Sequence, residues 1–118
     1  MSKTCKWYKI ADSLEEINFS KEGLAEIEVN NKKVCIALKN ENLFACANKC
    51  PHAGGDMTDG YIDALGNIVC PLHRYKFSLT NGINTSGEGY FLKNYPIEIR
   101  ENGIFIGFET GGLFSWIK

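Results

Sequence analysis

Two short stretches of the chain hold the residues best suited to chemistry. The first reads Cys50-Pro51-His52-Ala53-Gly54-Gly55-Asp56, and the second reads Cys70-Pro71-Leu72-His73-Arg74-Tyr75. The spacing is C-x-H, then 17 residues, then C-x-x-H. The chain has 2 histidines, His52 and His73, and each stands beside one of these cysteines. Thiolate and imidazole together suit soft and borderline metals. Two metal readings compete. One is a structural zinc ion held by two Cys and two His in a tetrahedron. The other is a [2Fe-2S] cluster with two Cys on one iron and two His on the other. The C-x-H spacing is tight for two ligands of one tetrahedral ion and suits a centre in which each loop gives one ligand to each metal. Proline follows both cysteines, and Gly54-Gly55 permits the close backbone approach, with free amide N–H groups, that an inorganic cluster needs. These features favour iron and sulfur, while a zinc-stabilised interaction module stays open until metal is analysed.

The elements that must position these loops read as β. Apolar and β-branched residues recur in short alternating runs between Gly, Asn and Asp. Trp7 to Ile10 is a first strand. Asp12 to Ile17 has a helix start, with Asp12 as cap and Glu15 three residues later, and is worth one or two turns. Leu24 to Val29 and Lys33 to Leu38 flank a turn at Asn30-Asn31, and Leu43 to Ala47 follows a turn at Asn40 to Asn42. The periodicity stops from Asn48 to Gly60, where the first loop lies. Tyr61 to Ala64 and Asn67 to Val69 form a small hairpin around Leu65-Gly66 that brings the second loop back beside the first. Tyr75 to Leu79 is a strand, and a glycine-rich polar stretch runs to Gly89. Tyr95 to Arg100 and Ile104 to Phe108 make a last hairpin across Glu101-Asn102-Gly103. The tail from Gly111 to Lys118 is expected to pack on the domain or on a partner. The fold class is all-β, in one domain over 1–118 with the metal-binding part at about 46–78.

Composition narrows the function classes. The net charge is -1 and the basic residues are scattered, so the footprint of a nucleic-acid binder is missing. The sequence contains no signal-peptide or membrane-spanning stretch, which gives the expectation of a soluble, cytoplasmic protein. Of the 5 cysteines, Cys35 and Cys46 sit in apolar strands and read as core, and Cys5 as a surface or half-buried thiol. Asp56, Asp59 and Asp63 read as turn residues, and Gly82 to Gly89 lacks a nucleotide-binding pattern. Tyr75 and Phe77 read as strand core, Met57 as loop packing, and Arg74 as an exposed charge, either solvated or a docking contact.

The two loops, their spacing and the Tyr75-x-Phe77 segment resemble the Rieske family, in particular its small ferredoxins. They are also similar to the small Rieske-like subunit of nitrite reductases. The resemblance implies a stack of small antiparallel sheets with one [2Fe-2S] cluster per chain at the tip of a two-loop subdomain. Cys50 and Cys70 would bind the buried iron, and His52 and His73 the outer one. It implies an electron carrier rather than an enzyme, passing electrons from a flavoprotein reductase to a terminal oxygenase or reductase, or else a subunit of a larger oxidoreductase. A redox sensor is a further possibility. With both histidines committed to the cluster, a stand-alone oxygenase has no ligands left for a second iron. Membrane-complex members carry an extra disulfide-forming cysteine in each loop, where this chain has Gly55 and Leu72. They also place Ser and Tyr where Tyr75 and Phe77 stand. The expected reduction potential therefore lies near the low end of roughly -150 to +300 mV, and it should fall as pH rises because exposed imidazoles couple electrons to protons.

Overall fold

The computed structural model describes residues 5–52 and 54–109. Ten strands follow one another: β1 Cys5–Ala11, β2 Leu24–Val29, β3 Lys32–Lys39, β4 Asn42–Ala47, β5 Tyr61–Ile62, β6 Asn67–Val69, β7 Lys76–Ser78, β8 Asn94–Tyr95, β9 Ile97–Arg100 and β10 Gly103–Glu109. They form three antiparallel sheets, in the orders β1-β10-β9, β2-β3-β4-β8 and β5-β6-β7. The all-β stack of small sheets expected from the sequence is what the chain adopts.

Strand β3 explains how the sheets stack. Its run Val34-Cys35-Ile36-Ala37 is buried on both faces. Val34 and Ile36 point into a core shared with Ile106 and Phe108 of the first sheet. Cys35 and Ala37 point the other way, into a core shared with Ile68 and Phe77 of the small sheet and with Cys50 and Cys70. A strand covered on both sides reads as a continuous apolar run, as β3 does. Cys35 faces Cys46 across the β3–β4 ladder, and both are buried core residues. A hydrogen bond with the Cys46 thiol, together with burial, holds the Cys35 thiol far above an ordinary cysteine.

Two hairpins turn through two residues each. Val29 pairs with Lys32 and Lys39 with Asn42, leaving Asn30-Asn31 and Asn40-Glu41 as turns. All four residues have positive φ, from 51° to 68°, as the type I′ turn demands.

Three expectations need correction. The helix start at Asp12 is a single 3-10 turn, Leu14–Glu16, whose N-cap is Ser13. Glu16, not Glu15, reaches back to the Asp12 amide, at 2.7 Å. The run from Tyr95 to Arg100 is not one strand. Pro96 has no N–H for a ladder, so the chain changes sheets there: Asn94–Tyr95 joins β4, and Ile97–Arg100 joins β10. The last turn is Glu101-Asn102 alone, because Gly103 already pairs with Arg100. The tail from Gly111 lies outside the described residues. No helix among them is long and apolar enough to cross a membrane.

Candidate metal centre

Each loop is a knuckle closed by the same two backbone hydrogen bonds. In the first, the Cys50 amide donates to the Gly55 carbonyl at 2.8 Å and the Gly54 amide to the Cys50 carbonyl at 2.9 Å. In the second, the Cys70 amide donates to the Tyr75 carbonyl at 2.9 Å and the Arg74 amide to the Cys70 carbonyl at 3.0 Å. The fifth residue of each knuckle is left-handed, Gly54 at φ 74° and Arg74 at φ 61°. Glycine takes that conformation freely, whereas for a residue with a Cβ it costs about 1–2 kcal/mol.

The knuckles meet side by side. A Cβ on Gly55 would stand 2.8 Å from Cδ1 of Leu72 and 3.8 Å from Sγ of Cys70. Leu72 therefore occupies the space a side chain at 55 would need, and the two loops are clasped by this apolar contact. Beneath them, Met57 is fully buried among Cys50, Cys70, Phe77 and Leu92, which settles it as packing. Asn48 is buried too, and its Oδ1 accepts the Thr58 amide at 3.1 Å, while its Nδ2 has no partner among the described residues. Asp63 is a turn residue: Oδ1 accepts the Leu65 and Asn67 amides at 2.9 Å, and Oδ2 takes the Asn67 side-chain N–H at 3.1 Å.

The four candidate ligands separate by depth. Cys50 and Cys70 are buried at 2% and 0% exposure, whereas His52 is half-buried and His73 exposed. The Nδ1 atoms of His52 and His73 face each other at 3.3 Å. Two imidazole nitrogens, each 2.0–2.1 Å from one tetrahedral metal, sit about 3.3–3.4 Å apart. Burial raises the Cys70 thiol above its ordinary value, while the Leu72 and His73 amides, hydrogen-bonded to its sulfur, pull it down, and neighbouring Cys50 pushes it up. Among the described residues, no group of three or more His, Cys, Asp or Glu side chains is arranged to hold a single ion. The donors come as a buried thiol pair and an outer imidazole pair.

Sequence reasoning missed the surroundings of His52. Phe77 is core, as expected, but Tyr75 is half-buried and its ring stacks on His52 at 4.0 Å between centroids. Tyr75 shares the strand face of Phe77 but lies at its outer end, inside the second knuckle, where the core runs out. Partial desolvation, then the Glu88 carboxylate, raises its phenol above the ordinary value. Tyr90 approaches the same imidazole at 5.4 Å. It comes from a loop pinned by Asn84, whose Nδ2 donates to the Lys76 carbonyl and whose Oδ1 accepts the Glu88 and Gly89 amides. The run of Gly, Ser and Asn there signalled a loop, and nothing local said where it would fold.

A small all-β domain with paired Cys/His knuckles at its tip defines a class of metalloprotein. A model of the Rieske [2Fe-2S] domain matches residues 6–96, and the chain belongs to that family. It is 26% identical over 84 residues to the ferredoxin component of naphthalene 1,2-dioxygenase/salicylate 5-hydroxylase systems from Ralstonia sp, covering 70% of this chain and 80% of that one. It is 25% identical over 75 residues to the ferredoxin component of the alkene monooxygenase system from Xanthobacter autotrophicus, covering 63% of this chain and 62% of the relative, under two thirds of its length. The fold matches the ferredoxin of carbazole 1,9a-dioxygenase from Nocardioides aromaticivorans with a TM-score of 0.73 at 20% identity, over 85% of this chain and 95% of that one. A protein described as an NADH-dependent nitrite reductase small subunit from Mycobacterium tuberculosis matches with a TM-score of 0.76 at 16% identity, over 89% and 96%.

Proposed function

We propose that Cys50, His52, Cys70 and His73 hold one [2Fe-2S] cluster, and that the chain is a one-electron carrier serving an oxygenase system. The observation that carries this reading is the facing imidazole pair, 3.3 Å between Nδ1 atoms, above two buried cysteines. When bound, such a cluster takes up and gives back a single electron. The cysteines would bind the inner iron as thiolates, and burial keeps water from them. Amides of Leu72 and His73 aimed at the Cys70 sulfur offset its negative charge. Tyr75 and Tyr90 hold the His52 ring and cover it, leaving the exposed His73 edge as the short path out.

The relatives' names, ferredoxin components of oxygenase systems, support a carrier rather than a catalyst. A flavoprotein reductase as donor and a terminal oxygenase as acceptor follow from that reading, as does action in the cytoplasm. The likeness to a nitrite reductase subunit rests on fold alone. Stable co-purification with a large partner would favour a built-in subunit over a mobile carrier.

The test is anaerobic purification followed by iron and sulfide analysis and EPR after dithionite reduction. Two irons and two sulfides per chain, with the low average g of a His-ligated cluster, are expected, and Cys70→Ser should abolish the colour. A colourless chain with one zinc would overturn the proposal.

A further inference from the structure

Arg74 stands where the twin knuckle has Gly54, in a left-handed backbone that glycine takes without strain. The exchange of Gly for Arg brings no compensation within the fold. Among the described residues the Arg74 side chain makes no hydrogen bond and no ion pair. Of the other charges near the knuckles, Lys49 pairs with Asp56 at 3.0 Å, Lys76 with Asp63 at 3.8 Å, and Glu88 with Asn84 at 3.0 Å. Arg74 is exposed beside His73, and Leu72 next to them is 53% exposed. Strain kept at an exposed position, with no internal return, points outward.

Resting on the electron-carrier reading, we propose that Arg74 is the charged contact of an interaction surface at this tip, and that the partner is a redox protein presenting carboxylates there. A guanidinium pairs two-pronged with a carboxylate, and an unpaired cation beside the exit edge draws an anionic face toward His73 while repelling a cationic one.

Two small oxidants of opposite charge read this field directly. Each takes one electron from the reduced protein without itself exchanging a proton: ferricyanide, Fe(III) to Fe(II), and tris(phenanthroline)cobalt(III), Co(III) to Co(II). Stopped-flow rates are compared for the loaded wild-type protein, Arg74→Gln and Arg74→Gly at low and high salt, with the reduction potential of each recorded. Both variants should slow ferricyanide and speed the cobalt complex, changing the ratio of rates by about threefold or more at low salt and much less at high salt. Arg74→Gly, which copies the twin knuckle, should fold at least as well as wild type. An unchanged ratio in a loaded variant overturns this inference alone. So does a change of both rates in one direction that follows the potential, which would make Arg74 a tuning residue. A chain that takes up no iron and sulfide overturns the cluster reading and this inference with it.

Discussion

A methyl group on Gly54 would stand in open space, so Gly54→Ala isolates the cost of a left-handed backbone. It should destabilise the domain by about 1–2 kcal/mol in urea denaturation, while Arg74→Gly should be neutral or stabilising. Equal effects at the two sites would break the likeness between the knuckles. Asp63 makes a pH prediction. Desolvation is the largest single influence on its carboxyl and acts to raise it, but the amides of Asn67 and Leu65, the Asn67 side chain and Lys76 outweigh it, and the net effect is lowering. A depressed folded pKa gives stability that is full above the ordinary carboxylate value of about 3.9 and lost as pH falls through the folded value. Asp63→Ala strands the Leu65 and Asn67 donors and should cost about 1–3 kcal/mol at pH 7, a difference that shrinks toward pH 3 in parallel denaturation curves. The four candidate ligands were legible because their types and spacing carry the chemistry locally. Tyr90 was not, because its approach to His52 depends on how Asn84 folds a loop with no periodicity of its own.

At the scale of elements, the turn residues made the hairpins readable. Asn30-Asn31 and Asn40-Glu41 take the left-handed turn conformation, and Glu41 is the least suited of the four. Glu41→Gly should stabilise the protein by about 0.5–1 kcal/mol, since relief of strain exceeds the entropy a glycine adds to the unfolded chain. An unchanged midpoint in guanidinium would show that Glu41 is not strained. The strand around Pro96 was misread for a physical reason. Alternation of apolar residues continues from Tyr95 to Ile99, so the pattern gave no sign that a missing donor sends its two sides to different sheets. The Gly55–Leu72 clasp was equally hidden, because the two residues meet only after the small hairpin folds back.

For the molecule as a whole, β3 is the shared wall of two cores, with Val34 and Ile36 on one side and Cys35 and Ala37 on the other. Neither core can open without exposing the back of the other. Calorimetry should therefore give a single transition, and removal of iron by a chelator should lower its midpoint by at least about 5 °C rather than split it. Two resolved transitions would mean that the tip and the β1-β10-β9 sheet melt separately. The sequence carried the fold class because short alternating apolar runs recur between Gly, Asn and Asp turns. It could not carry the order of sheets, which rests on pairings such as β1 with β10 between residues far apart in the chain.

The doubled knuckle has a consequence in the language of symmetry. One backbone circuit is written twice at the tip, and the side chains tell the copies apart: Gly54 against Arg74, and a histidine two residues after Cys50 but three after Cys70. The amides of Cys50 and Cys70, locked in equivalent rings, should exchange their hydrogens with deuterium at matched rates. A ligand or substitution that splits the pair then reports which half of the tip it has touched.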